Sequence, residues 1–469
     1  MKIAFVSLIK NESRNPPLGL LALASYLKKN LPESEIRLID KTFEDVDEKI
    51  RNFSPDIIGL TTFTSYYQDC IDFAKKIKEF SPNIKILVGG PHITTLPESL
   101  HKIFDFGIIG QGEKRTLKLL NSIRKGKISH NIDGLVYWKN NNLVINPRKR
   151  EKELFLDEYN LNYSLLNKKY WDKRFIQEIT DFQVYMGIIS SIGCPFNCIF
   201  CSCKAFWGNI KYKKIENVIN EIKELYYNYN VRHIEFYDDL FAINKERLNQ
   251  FYNLLSKENL LGKITFSCFA RADCFDEEMC ILLKKLNVQG VTFGFESGSD
   301  RILKYIKNNP SASVEKNRQA ILLGEKYGFN VAGGLVTGNP TETISDMKEN
   351  IDFIDFAKKH NASRLWIQIL IPLPATQIWN IAKERGKIED NYDYINWNNI
   401  QIHHRDPMLL DNDISKEEFL KYYDIAKKKC QSFVYKLILK TITKNPKNVA
   451  YLTIESKNNF LRFFNFLKQ

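Results

Sequence analysis

Three cysteines on one short stretch are the residues whose type and spacing most directly indicate chemistry. Cys194, Cys198 and Cys201 follow an apolar, β-branched run that ends at Ile192, with the spacing Cys-x3-Cys-x2-Cys. Soft thiolate ligands select zinc, copper(I) or iron–sulfur clusters. A structural zinc site takes four ligands, usually as two cysteine pairs, and the next cysteine outside the segment from Gly193 to Cys203 is Cys268. Three cysteines on one loop instead suit a four-iron, four-sulfur cluster with one iron left open to bind a small molecule. Three merely buried small residues are the alternative, because cysteine is often buried.

The stretch from Gly193 to Cys201 resembles the signature of the radical S-adenosylmethionine (SAM) enzymes, with the aromatic Phe200 directly before the third cysteine. The resemblance implies a [4Fe–4S] cluster on the three cysteines, with Phe200 at the cofactor site and Cys203 as a spectator. It also implies that SAM is cleaved to methionine and a 5′-deoxyadenosyl radical, which abstracts hydrogen from an unactivated carbon. An electron donor such as flavodoxin or ferredoxin would supply the electron.

Length and composition describe an ordinary soluble protein of two or three domains. The chain has 469 residues, of which 44% are apolar and 26% charged, as is typical of globular proteins. Nine cysteines without a secretory N-terminus favour a reducing compartment, and no uncharged run reaches a membrane-spanning length. We therefore expect a cytoplasmic protein. The net charge of +13 comes from lysines spread along the chain, which favours solvated faces over a site for nucleic acid, lipid or phosphate.

Strands and helices alternate from the N-terminus to about residue 125. Five continuous apolar strands, predicted at 2–8, 36–40, 56–62, 85–90 and 105–109, indicate a doubly wound parallel sheet covered on both faces. Ligands bind such sheets outside the carboxyl ends of the strands. Small and polar residues cluster at those ends: Gly19, Thr61, Thr62, Ser65, Gly89, Gly90, Gly110 and Gly112. Taken alone, the glycines fit tight turns as well as they fit ligand binding.

This first part of the chain resembles the cobalamin-binding domain that precedes many radical SAM domains. The resemblance rests on Pro16-Pro17-Leu18-Gly19-Leu20 after the first strand and on Gly-Gly-Pro-His, ending at His92, after the fourth. It implies bound cobalamin, contacted by the strand-end residues Gly19, Thr61, Ser65, Gly89, Gly90, Gly110 and Gly112. The motif Asp-x-His-x-x-Gly is absent, so we expect no histidine ligand to cobalt, and we interpret His92 as a residue that shapes its turn.

A second series of six βα units follows, from about residue 183 to 375. Strands are predicted at 184–192, 231–237, 264–270, 290–295, 330–336 and 364–370, and most end in a polar or charged residue. Since βα barrels keep their chemistry at the carboxyl ends of their strands, the pattern predicts a partial (β/α)6 barrel.

The strand ends of this second series also resemble the radical SAM pattern. The resemblance implies that Asp238 and Asp239 hold the amino group of SAM, as carboxylates suit an ammonium. It places Arg271, Glu296 and Ser297 at the ribose and carboxylate of SAM. The loop of Gly338 and Glu342 would approach the adenine, although Thr341 stands where the family usually has glycine. Helix capping is the alternative role for Glu342.

The remaining segments carry less information. Residues 126–180 contain an apolar–polar–apolar pattern that predicts a β-hairpin around residues 134–145, followed by a linker. Residues 386–469 are predicted to be mainly helical, with a helix at 415–442 and a basic aromatic segment at 460–466. We favour packing on the barrel for this region over peripheral membrane contact, and we do not interpret His403 and His404 as a metal site.

The predicted domains are residues 1–125, a cobalamin-binding-like domain; residues 126–180, the hairpin and linker; residues 181–385, the radical SAM barrel; and residues 386–469, the helical region. We predict cobalamin-assisted methylation of an unactivated carbon in a small-molecule or lipid-linked substrate, with cyclisation or rearrangement fitting the same domain order. A tRNA methylthiotransferase would need a second cluster, yet the first 150 residues hold only Cys70. A non-catalytic iron–sulfur or cobalamin sensor would not need acidic residues to hold SAM.

Overall fold

The computed structural model describes residues 1–9, 15–150, 156–158, 160–176, 181–389, 407–411 and 413–444. The chain folds into two compact units that alternate along the sequence. The first unit comprises Met1–Tyr170, Ser191–Asn217 and Ile371–Leu410, and the second comprises Trp171–Ser190, Val218–Leu370 and Asp411–Gln469. The three cysteines of the motif therefore belong to the same compact unit as the N-terminal sheet.

The first unit is built on one seven-stranded sheet, in the order β2-β1-β3-β4-β5-β6-β7. Its strands are β1 (Lys2–Ser7), β2 (Glu35–Asp40), β3 (Ile57–Thr61), β4 (Lys85–Gly89), β5 (Phe106–Ile108), β6 (Leu135–Lys139) and β7 (Asn142–Ile145). The first five strands are parallel, which confirms the predicted sheet, and β6 and β7 add an antiparallel hairpin. The predicted hairpin thus forms the edge of this sheet rather than a separate connection, because β6 pairs with β5.

Five helices accompany these strands: α1 (Leu18–Asn30), α2 (Val46–Phe53), α3 (Tyr67–Phe80), α4 (Pro91–Thr95) and α5 (Glu113–Arg124). Helix α1 buries Leu20, Ala24 and Leu27 against Ile3 and Phe5 of β1. These leucines recur at helical spacing, so one face of α1 is removed from water, and each buried leucine contributes about 2 kcal/mol. The packing therefore holds α1 against β1.

Short strands lie on either side of residue 190. In the second unit, β8 (Arg174–Ile176) and β9 (Asp181–Gln183) form a hairpin, and β10 (Tyr185–Ile188) opens the large sheet. In the first unit, β11 (Ser191–Ile192) pairs antiparallel with β12 (Lys211–Tyr212). The prediction of one continuous strand over 184–192 is therefore wrong, since the apolar run is divided between two sheets.

The sheet of the second unit contains six parallel strands in sequence order, which confirms the predicted series of βα units. After β10 come β13 (His233–Phe236), β14 (Thr265–Ala270), β15 (Val288–Glu296), β16 (Asn330–Thr337) and β17 (Arg364–Ile369). The further helices within the described residues are α6 (Cys203–Trp207), α7 (Ile215–Tyr229), α8 (Lys245–Lys257), α9 (Glu277–Lys285), α10 (Asp300–Lys307), α11 (Val314–Tyr327), α12 (Ile344–Lys359), α13 (Gln377–Glu384) and α14 (Lys416–Lys444).

Helix α14 matches the helix predicted at 415–442 and packs on α12 and β17. Its side chains Phe419, Tyr423, Ala426, Cys430 and Phe433 are buried. His403, His404 and the aromatic segment 460–466 lie outside the described residues. Within the described ranges, no helix combines the length and the apolar character that a membrane crossing requires.

Candidate functional site

The cysteine motif lies in a loop whose two ends are tied together. This cluster loop, residues 193–210, is closed by the β11–β12 ribbon, in which Ile192 pairs with Lys211. Gly193 has φ +85°, and a Cβ there would lie 2.6 Å from the Asn209 carbonyl oxygen. Both the left-handed backbone and the close approach require glycine. On the far side of the loop, the Ile378 amide donates to the Ile199 carbonyl at 3.2 Å.

The cysteines have the exposure and hydrogen bonding of cluster ligands. Cys201 is exposed and Cys194 and Cys198 are partly buried. The Cys201 amide donates to the Cys198 carbonyl at 3.1 Å, and the Cys203 amide donates to the Cys201 sulfur at 3.5 Å. An amide donor at sulfur favours the thiolate that a metal requires. Cys203 therefore contributes through its backbone, and Phe200 lies half-buried in the turn between the second and third cysteines.

The donor set suits a cubane cluster better than a single ion. Among the described residues, no three histidine, cysteine or acidic side chains converge to hold one metal ion. In a [4Fe–4S] cluster each cysteine binds a different iron, so the thiolates need not meet at one point. Three thiolates on a loop whose ends are joined by the β11–β12 ribbon fit such a cluster.

In the second unit, Asp238 and Asp239 follow β13 but have different environments. Asp238 is buried, and its two carboxylate oxygens accept from the amide and the hydroxyl of Ser190, both at 2.6 Å. Asp239 is exposed. Asp238 therefore holds the chain where it leaves β10, and Asp239 is the better placed of the two to meet an ammonium group.

A group of charged side chains occupies the ends of β14 and β15. Arg271 donates to both carboxylate oxygens of Asp273, at 2.9 and 2.7 Å. Lys307 is 4% exposed and donates to the Gly294 carbonyl at 2.8 Å. Burial raises the pKa of Glu296, and the charges of Lys307 and Arg271 oppose that rise. Burial also acts to raise the pKa of Asp273, but the hydrogen bonds and charge of Arg271 outweigh it and lower the pKa.

Glu296 adopts a strained backbone at the end of β15. Its φ is +67°, a left-handed value that is uncommon for residues other than glycine. Its carboxylate folds back over Gly294, where a Cβ would lie 2.1 Å from the Glu296 Oε1 atom. Glu296 and Arg271 were predicted from the sequence, but Lys307 was not, because a lysine in the last turn of a helix looks like an ordinary surface residue.

Ser297 and Glu342 belong to one buried polar network. The Asn350 side chain accepts from the Gly298 amide at 2.6 Å and from the Ser297 hydroxyl at 3.2 Å, and donates to Glu342 at 3.2 Å. Ser297 is 0% exposed, so a contact between Ser297 and SAM would require its loop to move. In this structure Ser297 supports the turn after β15.

Glu342 stabilises the loop after β16 by accepting hydrogen bonds from its residues. One carboxylate oxygen accepts from the amides of Gly338 and Asn339 and from the Thr337 hydroxyl. Burial raises the pKa of Glu342 to about 7, and these hydrogen bonds oppose the rise. The capping box of α12 is instead formed by Thr343 and Asp346, so Glu342 does not cap that helix. The buried Asn339 Oδ1 accepts no hydrogen bond from the described residues, which suits the approach of an adenine amino group.

Thr341 is the residue where this loop departs from the family pattern. Its φ is +63°, a conformation that glycine adopts readily and a β-branched residue does not. Arg301 donates to the Thr341 hydroxyl at 3.1 Å and to its carbonyl at 2.7 Å, and Asp411 accepts from its amide. These three contacts hold the strained residue in place.

The strand ends of the first sheet divide into tight turns and open positions. Gly90 and Gly110 have positive φ, and a Cβ at Gly90 would lie 2.7 Å from Thr61 Oγ1. By contrast, Gly19 has no atom within 4 Å of a built Cβ, and Gly89 and Gly112 meet only ordinary contacts. Thr62 donates through its hydroxyl to the Gly89 carbonyl at 2.7 Å, and Ser65 lies half-buried in the next turn.

This edge has the features expected of a cobalamin face. The buried hydroxyl of Thr116, beside Gly112, finds no hydrogen-bond partner in the described part of the chain, which leaves it available to a polar ligand group. His92 is not suited to bind cobalt, because it is fully buried and its ring nitrogens bond to the hydroxyls of Thr64 and Ser99 at 3.0 and 2.9 Å. Burial lowers the pKa of His92 to about 3.

Comparison with known proteins agrees with both parts of the chain. The model of the B12 binding domain matches residues 6–120, and that of the Radical SAM superfamily matches residues 188–354. An uncharacterised methyltransferase of Pyrococcus horikoshii is 33% identical over 379 residues, covering 78% of each chain. The chain belongs to the radical SAM superfamily. As a radical SAM protein with a B12-binding domain, it uses a [4Fe–4S] cluster, SAM and cobalamin, and it needs a reductant.

Solved structures share the fold of this radical SAM protein. The radical S-adenosylmethionine methyltransferase TsrM from Kitasatospora setae, with cobalamin and a [4Fe–4S] cluster bound, has a TM-score of 0.66 at 18% identity, covering 82% of this chain and 75% of its own. The cobalamin-dependent radical enzyme OxsB has a TM-score of 0.64 at 19% identity, covering 85% and 63%. Among relatives found by sequence, the bacteriochlorophyllide d C-8(2)-methyltransferase of Chlorobaculum tepidum is 25% identical over 460 residues, covering 94% of this chain and 91% of its own.

Proposed function

We propose that this radical SAM protein transfers a methyl group to an unactivated carbon of a small-molecule or lipid-linked substrate. The observation that carries the proposal is the placement of the cluster loop in the same compact unit as the cobalamin face. Within that unit α6, which follows the cysteines, packs against α4, which begins next to Gly90. The relatives named as methyltransferases support it further.

The cofactors, when bound, supply the radical and the methyl group, and the residues of the chain hold and orient them. We assign the cluster to Cys194, Cys198 and Cys201. In the second unit we assign SAM contacts to Asp239, Arg271, Glu296 and the Gly338 loop, and we infer that Asp238, Ser297 and Glu342 support the loops that carry them. In the first unit we assign a cofactor contact to Phe200. We assign cobalamin contacts to Gly19, Thr61, Ser65, Gly89, Gly90, Gly110 and Gly112, and we add Thr116 to this set because its buried hydroxyl has no hydrogen-bond partner among the described residues.

We place the reaction in the cytoplasm, with flavodoxin or ferredoxin as the electron donor. None of the nine cysteines, all of which lie in the described part of the chain, forms a disulfide, as a reducing compartment favours. The spread of lysines gives no strong nucleic-acid signal.

Methyl-labelled SAM tests the proposal. Anaerobic enzyme carrying cluster and cobalamin is incubated with reductant, labelled SAM and a small-molecule and lipid extract of cells in which the gene has been deleted. Wild type should form 5′-deoxyadenosine and place the label on carbon in one extract component. Replacing any cysteine of the motif by Ala should abolish both, whereas Cys203→Ala should retain both. Production of 5′-deoxyadenosine with an altered but unlabelled product would indicate cyclisation or rearrangement instead.

Cyclisation is the second candidate, because the anaerobic magnesium-protoporphyrin IX monomethyl ester cyclase of Rubrivivax gelatinosus is 25% identical over 345 residues. The cysteine content of the N-terminal part disfavours methylthiolation, although a Methanocaldococcus jannaschii relative is named as a putative methylthiotransferase. The one cysteine before residue 150, Cys70, is buried, and burial raises the pKa of its thiol to about 12. Cys70 therefore stays protonated and is a poor cluster ligand.

A further inference from the structure

Two arginines after the N-terminal hairpin bind the helix that follows the cluster cysteines. Arg148 donates to the Phe206 carbonyl at 3.1 Å, and Arg150 donates to the Ala205 carbonyl at 2.9 Å. Both carbonyls belong to the last turn of α6, where no amide further along the helix can donate to them. Two guanidinium groups therefore bind the carbonyl end of α6, where positive charge is favourable.

The segment that carries these arginines is itself anchored to the N-terminal sheet. Arg115, a buried residue of α5, donates to the Lys149 carbonyl at 3.2 Å and forms an ion pair with Asp133 at 2.8 Å. Asp133 directly precedes the turn at Gly134 that leads into β6. The backbone between Arg148 and Arg150 is thus held by α5, while the two side chains reach α6.

The chain beside α6 is shaped to admit this contact. Gly208, the residue that ends α6, has φ +82°, and a Cβ there would lie 3.0 Å from the Arg150 guanidinium. At its other end α6 begins at Cys203, whose amide donates to the Cys201 sulfur. The arginines therefore act on carbonyls only two and three residues beyond Cys203.

We propose that Arg148 and Arg150 are positioning residues that fasten the cluster loop to the cobalamin-binding sheet and place positive charge near the cluster. The proposal rests on the three-cysteine cluster and not on methyl transfer. Reduction adds negative charge to a cluster, so nearby cations favour the reduced state. The two arginines would therefore both retain the cluster and raise its reduction potential.

The test compares three double variants of the cluster-loaded holoenzyme. Arg148→Gln with Arg150→Gln removes the positive charge and the planar, forked donor group of both guanidiniums. Arg148→Lys with Arg150→Lys keeps the charge but loses the planar fork. Lys127→Gln with Lys149→Gln is the control, because it removes the same number of positive charges from side chains that are exposed.

Iron loss to a ferrous chelator and the cluster's reduction potential are measured in each variant. Iron loss should be about tenfold faster in the Gln double variant, the scale of one charge-assisted hydrogen bond. Its potential should shift to a more negative value. The Lys double variant should also lose iron faster but keep the wild-type potential, and the control should match wild type in both. A Gln double variant that matches the control in both measurements would overturn the proposal. If that variant does not fold, wild-type iron loss in the Lys variant would overturn it equally, and neither outcome depends on methyl transfer.

Discussion

Thr341 offers a direct test of how this radical SAM protein tolerates its departure from the family pattern. The usual glycine would adopt the observed φ of +63° without strain. We compare Thr341→Gly with Thr341→Ala, since both remove the hydroxyl that binds Arg301 and both keep the backbone contacts to Arg301 and Asp411. The two variants then differ in the backbone conformations that each residue allows, both in the folded loop and in the unfolded chain.

The expected difference follows from two opposing terms. A left-handed backbone costs a residue with a Cβ roughly 1–2 kcal/mol, and glycine avoids that cost. Glycine also gives the unfolded chain more freedom, which costs roughly 0.4–1 kcal/mol. The loop should therefore be more stable in the Thr341→Gly variant than in the Thr341→Ala variant by about 1 kcal/mol, which corresponds to about a fivefold difference in the population of its open state.

Hydrogen exchange reports on this loop directly. The amides of Gly338 and Asn339 donate to Glu342, so they exchange only when the loop opens. Their protection factors should be about fivefold higher in Thr341→Gly than in Thr341→Ala, while the amides of β1 in the other unit stay unchanged. Equal protection in the two variants, or greater protection with alanine, would refute the strain argument.

Two further predictions concern the first unit. Gly112→Leu should fold and should lower bound cobalamin about tenfold without lowering iron content, because a Cβ at Gly112 meets only ordinary contacts. Gly90→Leu should instead lower the melting temperature, since φ +98° and the close contact with Thr61 exclude a side chain at Gly90. A Gly90→Leu protein that is normally stable but binds no cobalamin would contradict this. Burial lowers the pKa of His92 to about 3, so below about pH 6.5 the unfolded chain takes up a proton that the folded chain does not, and the free energy of unfolding decreases. Between pH 7 and 5.5 wild type should lose about 1.3 kcal/mol more stability in urea unfolding than His92→Gln. Equal pH slopes in the two proteins would show that His92 takes up a proton in the folded chain. The bound cobalt should show no histidine ligand by electron paramagnetic resonance in either protein, and a histidine signal would show that His92 ligates cobalt.

Most elements of the fold follow from patterns that lie close together in the sequence. Continuous apolar runs between helical segments predicted both parallel sheets, and the two series of βα units appear in the predicted order. Those patterns are local, because a buried parallel strand needs only its own apolar residues to be recognised. The one wrong strand, at 184–192, failed for the same reason. Its apolar residues serve two different sheets, and no local pattern separates them.

The sequence by itself determined the cluster motif, since three cysteines at fixed spacing carry their chemistry wherever the loop lies. It also located the strand ends that carry Asp238, Arg271 and Glu296. Only the tertiary structure decided which of these side chains face outward and which are enclosed. Asp238 is bound by Ser190, which lies 48 residues away, and Glu342 is surrounded by donors. Lys307 and Arg148 acquire their roles through contacts with Gly294 and Phe206, 13 and 58 residues away. Burial and hydrogen bonding depend on neighbours distant in the chain, and these neighbours are set by packing rather than by spacing.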